Sequence, residues 1–140
     1  MKVIKVKYFK DGCKVERHGD WIDLKAAEDV KLRAGDYAQI PLGVAMKLPK
    51  GYEAHLVPRS STFRKYGVLQ TNGVGIIDGD YCGDADEWAM PVYATRDVMI
   101  REGARIAQFR IFPVMEDDVI THTVDRLGGV SRGGFGSSGD

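Results

Sequence analysis

"DVKLRAGDYAQIPLGVAMKLPKGYEAHLVPRSS", residues Asp29–Ser61, decides the fold class. Short apolar or alternating runs are separated by Ala34-Gly35-Asp36, Pro41-Leu42-Gly43 and Pro49-Lys50-Gly51. Alternation puts successive side chains on opposite faces of an extended chain, and Gly and Pro clusters mark turns. The stretch therefore predicts several strands. The same pattern continues on both sides. Upstream, "KVIKVKYF" (Lys2–Phe9) alternates and stops at Asp11-Gly12. Downstream, "GVLQTNGVGIID" (Gly67–Asp78) predicts a hairpin around Asn72-Gly73. "EWAMPVYATRDVMIREGARIAQFRIFPV" (Glu87–Val114) adds three apolar runs, broken at Arg96-Asp97 and Glu102-Gly103. No window sustains a 3.6-residue period. The best helical candidate is "STFRKYG" (Ser61–Gly67), opened by Ser or Thr and stopped by Gly. Many short strands at near-regular spacing predict an all-β domain, a distorted jelly roll or barrel with one short helix.

A chain of 140 residues suits one domain with a single core. Its 44% hydrophobic and 29% charged residues are ordinary for a globular protein. Twenty basic and twenty acidic residues cancel, which argues against bulk nucleic-acid or membrane-surface binding while leaving room for a phosphate-bearing small molecule. The opening "MKVIKVKYFKDG" has no uninterrupted apolar segment. Cys13 and Cys82 are far apart, and His18, His55 and His122 are scattered, so the spacing suggests neither a disulfide framework nor a protein-ligated transition metal. Reduced thiols and a cytoplasmic location are the expectation. Composition shifts near Leu127, giving a β-domain over 1–127 and a flexible Gly/Ser-rich arm over 128–140 that ends "SRGGFGSSGD".

Four stretches carry possible chemistry. In "IIDGDYCGD", Asp78 and Asp80 flank a glycine and Tyr81 follows. Two carboxylates on one face can serve as a base or attract a cation, and an acidic β-turn reads the same way. In "VPRSSTFRKYG", Arg59, Ser60 and Ser61 offer a guanidinium and two hydroxyls at a helix start, which suits a phosphate or a plain helix cap. Gln108 in "ARIAQFRIFP" is an amide among strand residues, either a ligand contact or an edge residue facing solvent. Asp23 in "GDWIDLKAAED" either opens a turn or takes part in a site.

In order and spacing these segments resemble the five motifs of the trimeric dUTP pyrophosphatases (dUTPases). Asp23-Leu24-Lys25-Ala26 matches the first and Pro58-Arg59-Ser60-Ser61 the second. Asn72 through "GVGIIDGDYCG" matches the third, "RIAQFRIFP" the fourth and "RGGFGSSG" the fifth. The resemblance implies Mg²⁺-dependent hydrolysis of dUTP to dUMP and pyrophosphate, by water attack on the α-phosphorus. It implies Asp78 as general base and Asp23 as the residue holding Mg²⁺ through water. Ser60, Ser61 and Gln108 contact phosphate, and Arg59 orients the site through an acid such as Asp80. Tyr81 packs beneath the deoxyribose. The segment from Asn72 and Gly73 to Ile77 reads uracil with backbone groups. From the arm, Phe135 stacks on uracil, while Arg132, Gly136 and Ser137 close over the nucleotide. A homotrimer with shared active sites is implied, with no nucleic-acid or membrane partner.

Three departures from the family pattern stand out. The fourth motif commonly begins Gly-Asp-Arg, and here it is Gly103-Ala104-Arg105. "CGDADEW" is longer and more acidic than the common loop. The fifth-motif arginine position holds Val130, with Arg132 three residues before Phe135. Two rivals remain at this level. A deoxycytidine triphosphate deaminase shares the fold and would need a carboxylate beside the base, for which Glu87 is the nearby candidate. A catalytically silent binding domain could also share the fold, although it would have no chemical need for Asp23, Ser60, Asp78, Tyr81, Gln108 and Phe135 together.

Overall fold

The computed structural model describes residues 1–136. The three turns of the Asp29–Ser61 stretch separate strands β4 (Val30–Leu32), β5 (Tyr37–Pro41), β6 (Val44–Lys47) and β7 (Tyr52–Pro58). Gly35, Gly43 and Gly51 all take positive φ there, at 93°, 70° and 83°. At Gly43 the need for glycine is double, because a Cβ would also overlap Cys13 Sγ. Before them come β1 (Lys5–Tyr8), a 3-10 turn at Asp11–Cys13, β2 (Glu16–His18) and β3 (Trp21–Lys25). After them come α1 (Thr62–Tyr66), β8 (Val68–Gln70), β9 (Gly75–Ile77), β10 (Ala89–Ala94), β11 (Val98–Ile100) and β12 (Arg105–Pro113).

Strand pairing among the described residues is antiparallel and falls into four sheets rather than one closed barrel. The orders are β1-β6, β5-β10-β8, β11-β4 and β2-β3-β12-β7-β9. The inward faces meet in one core that includes Leu24, Ile40, Leu56, Met90, Ile106 and Phe109. Trp88 lies edge-on to Phe109, with ring centroids 5.0 Å apart. Both rings are almost fully buried, so truncating Phe109 to alanine costs about 3–5 kcal/mol. The result is the expected distorted jelly roll with one short helix.

Three local expectations change. The arms of the Asn72-Gly73 turn do not pair with each other: β8 pairs with β10, and β9 pairs with β7. The chain does turn there, with Gly73 at φ 66° and Val74 N–H donating to the Asn72 carbonyl at 2.7 Å. Its arms then diverge because each finds a longer partner in a different sheet. Asp23 opens no turn; it is buried in the middle of β3. The Lys2–Phe9 strand is shorter than its alternation suggests, because β6 offers only Val44–Lys47 as a ladder. The stop of α1 is as expected, with Gly67 in the left-handed region and its N–H donating to the Phe63 carbonyl. Residues 114–136 add no strand.

Candidate active site

One end of the candidate site is a cavity of ≈ 370 Å³ whose walls include Asn72, Ile77, Asp78 and Tyr81. Gln70 sets the turn that shapes it, its Nε2 donating to Asn72 Oδ1 at 2.8 Å and to the Leu56 carbonyl at 2.9 Å. This half-buried glutamine was not legible as a site residue, because in sequence it is one more polar residue before a turn. Tyr81 is held at both ends. Its N–H donates to the Asp78 carbonyl, and its hydroxyl donates to the Glu87 carbonyl at 3.0 Å. The ring is thereby fixed beside the cavity mouth. Asp78 is exposed, and among the described residues no cation pairs with it. A solvated carboxylate at a cavity mouth can orient and deprotonate a water.

The loop after Tyr81 is a closed turn. Gly83 N–H donates to Asp86 Oδ2 and Asp86 N–H donates to the Gly83 carbonyl. Glu87 lines the cavity, but its Oε2 accepts the Gly43 N–H at 2.9 Å. The carboxylate that a deaminase would need beside a base is thus committed to a backbone turn.

The second group stands on the outward face of the five-stranded sheet. Asp23 of β3 is opposite Gln108 of β12, which is opposite Val57 of β7. Gln108 is half-buried on a central strand, and its Nε2 donates to the Pro58 carbonyl at 3.1 Å. Asp23 is 4% exposed and ringed by basic side chains. Arg59 Nε is 3.3 Å from Oδ1, His18 Nε2 is 3.6 Å from Oδ2, and Arg105 Nη1 is 3.9 Å from Oδ2. Within one chain Arg59 pairs with Asp23, while Asp80 is exposed in the turn after β9.

Pro58-Arg59-Ser60-Ser61 is pinned by a residue the sequence did not single out. The Thr62 hydroxyl is fully buried, accepts the Arg59 N–H at 2.9 Å and donates to the Ile106 carbonyl at 2.8 Å. Ser61 occupies the helix N-cap without a side-chain cap bond, and Ser60 is exposed. Beside them Glu16 takes Lys25 Nζ at 2.9 Å and Arg105 Nη1 at 3.5 Å. The hydrogen bond and charge of Lys25 hold the Glu16 carboxyl below its ordinary value.

Among the described residues no group of three or more His, Cys, Asp or Glu is arranged to hold a metal ion. Asp23 Oδ2 is nonetheless a buried carboxylate oxygen with no hydrogen-bond partner. That oxygen lies 3.6 Å from His18 Nε2 and 3.9 Å from Arg105 Nη1, so a metal-bound water would share it with them.

The two groups are far apart within one chain. Ile77 is level with Ala54, and Arg59 is five residues further along β7, about 16 Å at ~3.3 Å per residue. None of Asp23, Arg59, Ser60 and Gln108 lines the cavity. Phe135 is fully exposed and Gly136 has φ 80°, and Arg132, Phe135 and Gly136 are not among the residues lining the cavity. Ser137 lies outside the described residues.

A protein-family model described as dUTPase matches residues 16–139 of this chain. The SPbeta prophage-derived deoxyuridine 5'-triphosphate nucleotidohydrolase of Bacillus subtilis is 54% identical, covering 97% of each chain. A deoxyuridine 5'-triphosphate nucleotidohydrolase of Leifsonia xyli is 39% identical, covering 84% of this chain and 77% of its own. Among solved structures, the dUTPase of Streptococcus mutans aligns with TM-score 0.73 at 28% identity, covering 83% of this chain and 98% of its own. A variant dUTPase of staphylococcal bacteriophage 80α, solved with dUpNHpp, aligns with TM-score 0.75 at 25% identity, covering 99% of each.

Proposed function

The chain belongs to the dUTPase family, and on that premise we propose that it hydrolyses dUTP to dUMP and pyrophosphate at a site shared between copies. The observation that carries the chemistry is Asp78, a solvated carboxylate at the mouth of a cavity edged by Tyr81. Asp78 takes a proton from a water whose oxygen bonds to the α-phosphorus. The bond from that phosphorus to the bridging oxygen of the β-phosphate breaks, and pyrophosphate leaves. Tyr81, held by its hydroxyl, lies under the deoxyribose and leaves no space for a 2′-hydroxyl. Backbone groups from Asn72 and Gly73 to Ile77 read uracil. Cytosine reverses the donor and acceptor pattern and leaves buried groups unpaired.

Ser60, Ser61 and Gln108 serve the phosphates, with Arg59 held ready by Asp23. Mg²⁺, when bound, neutralises charge on the triphosphate oxygens. Asp23, whose Oδ2 makes no hydrogen bond, would hold that ion through its water shell. A base must reach its water, and a hydroxyl its phosphate oxygen, within about 3 Å. These groups are roughly 16 Å apart along β7, and in this reading Asp78 comes from one copy and Ser60 from another within a homotrimer. Residues 128–140 form a separate arm in this reading, with Phe135 stacking on uracil, Arg132 reaching phosphate, and Gly136 and Ser137 completing closure. In the cytoplasm the reaction limits uracil incorporation into DNA and supplies dUMP. Among the described residues no helix is long and apolar enough to cross a membrane.

The test is pyrophosphate release from dUTP, dCTP, dTTP and UTP with Mg²⁺, comparing wild type with Asp78→Asn. Turnover of dUTP alone is expected. Asp78→Asn should lower it by about 100-fold or more while nucleotide binding persists. Near-normal turnover in that variant would remove Asp78 from the base role, and ammonia release from dCTP would replace the reaction altogether.

A further inference from the structure

We propose that Gln70 is a positioning residue for base selection, fixing the Asn72 side-chain amide so that its nitrogen, a hydrogen-bond donor, faces the cavity. This rests on the dUTP reading above and adds a side-chain donor to the backbone groups assigned there to the base.

Gln70 is the last residue of β8 and shares a face with buried Val68, so its side chain is directed inward. It enters the gap where the arms of the turn part, Gln70 pairing with Val92 of β10 and Gly75 with Leu56 of β7. A backbone carbonyl only accepts, so the atom of Gln70 that meets the Leu56 carbonyl at 2.9 Å has to be Nε2. The second hydrogen of the same nitrogen goes to Asn72 at 2.8 Å, so Asn72 has to present Oδ1 there. The Asn72 nitrogen is the end left over. It lies toward Gly75, 3.4 Å from the position a Cβ there would take, and Asn72 and Gly75 both line the cavity while Gln70 does not. Orientation thus passes from a fixed carbonyl of β7, through Gln70, to the cavity. Gln70 keeps it even though its own Oε1 is buried without a hydrogen bond. Turning the amide over would set that oxygen against the Leu56 carbonyl. The Gln70 backbone secures the same turn, its carbonyl accepting the Gly73 N–H at 3.3 Å.

A donor at this position separates the two pyrimidines. Uracil carries a carbonyl oxygen at C4, which accepts; cytosine carries an amino group there, which donates and would oppose the Asn72 nitrogen. A free asparagine serves either base by turning its amide over, and the bond to Gln70 removes that freedom. Gln70→Glu reverses the relay, since a carboxylate only accepts. Asn72 then turns its nitrogen to that carboxylate and its oxygen to the cavity.

The test is kcat and KM for pyrophosphate release from dUTP and, at high enzyme concentration, from dCTP. Wild type, Gln70→Met, Gln70→Glu, Asn72→Ala and the Gln70→Met/Asn72→Ala double variant are compared, each checked by far-UV circular dichroism. Gln70→Met should raise KM for dUTP more than it lowers kcat, and lower the dUTP-over-dCTP ratio of kcat/KM by about 10-fold. Gln70→Glu should lower that ratio further, by about 100-fold. The double variant should match Asn72→Ala, because Gln70 acts through Asn72. An unchanged ratio in both Gln70 variants, or losses that add in the double variant, would overturn the role and leave dUTP hydrolysis standing. A wild type without dUTP turnover would instead overturn the reaction itself, and this selection with it. Should neither Gln70 variant fold, the side-chain amide NMR signals of wild type decide, those of Asn72 being identified by their absence from Asn72→Ala. A shift of these signals on adding dUMP supports the donor, and unmoved signals overturn it.

Discussion

Asp23 and Arg59 are an ion pair across two elements far apart in sequence, with Nε 3.3 Å from Oδ1 and the Asp23 side chain only 5% exposed. The pair joins the middle of β3 to the turn after β7. It holds the guanidinium toward the face from which Gln108 projects and leaves the second Asp23 oxygen, which faces His18 and Arg105, without a hydrogen bond. Replacing Asp23 with Asn keeps the shape but leaves two arginines facing a neutral group. The expected outcome is a loss of about 1–3 kcal/mol of stability, moderated because Arg59 retains some solvent contact. Turnover should fall by about 10–100-fold, with a raised Mg²⁺ requirement. Denaturant titration and steady-state kinetics across Mg²⁺ concentration check both.

Thr62 offers a cleaner test of how the Pro58–Ser61 turn is held. Thr62→Val conserves volume yet removes the group that accepts from Arg59 and donates to Ile106. Two buried backbone groups are then unpaired, at a cost of about 2–3 kcal/mol. Thr62→Ser keeps the hydroxyl and should restore most of the unfolding midpoint. If Ser and Val behave alike, the hydroxyl is not what pins the turn.

Acid stability should carry a component from Glu16. Lys25 holds its carboxyl below the ordinary value of 4.5, so the interaction favours the folded state whenever the carboxyl is ionised. Its contribution is fully present above about pH 4.5 and is lost as pH falls through the depressed value. Glu16→Gln should therefore unfold with a flatter pH dependence on the acid side and differ least from wild type at the lowest pH. Thermal melts across this range would show it.

Truncation after Leu127 separates the arm from the fold. Among the described residues every strand ends by Pro113, and no core residue lies beyond β12. The truncated chain should keep its melting temperature and its sedimentation mass. Its turnover should drop by about 100-fold or more, because nothing closes over the bound nucleotide. Unchanged turnover would make the arm dispensable.

The turns of Asp29–Ser61, the stop of α1 at Gly67 and the break at Glu102-Gly103 were all legible, because Gly and Pro act through local backbone sterics. Alternation likewise predicts inward positions such as Met90, Val92 and Phe109. Pairing was less legible: Asn72-Gly73 signals a turn, yet its arms join different sheets, and ladder partners are chosen by long-range contact rather than turn residues. The within-chain pairing of Arg59 with Asp23 is of the same kind.

By itself, then, the sequence determined where the chain turns, which side chains face inward and, through five ordered motifs, the family. Those signals are local or linear. Tertiary structure alone decided that Asp23, Gln108 and Arg59 share one sheet face, while Asp78 follows β9 beside the opposite end of β7. Register and sheet order set those distances, and they arise only when strands separated by tens of residues pair and bury a common core.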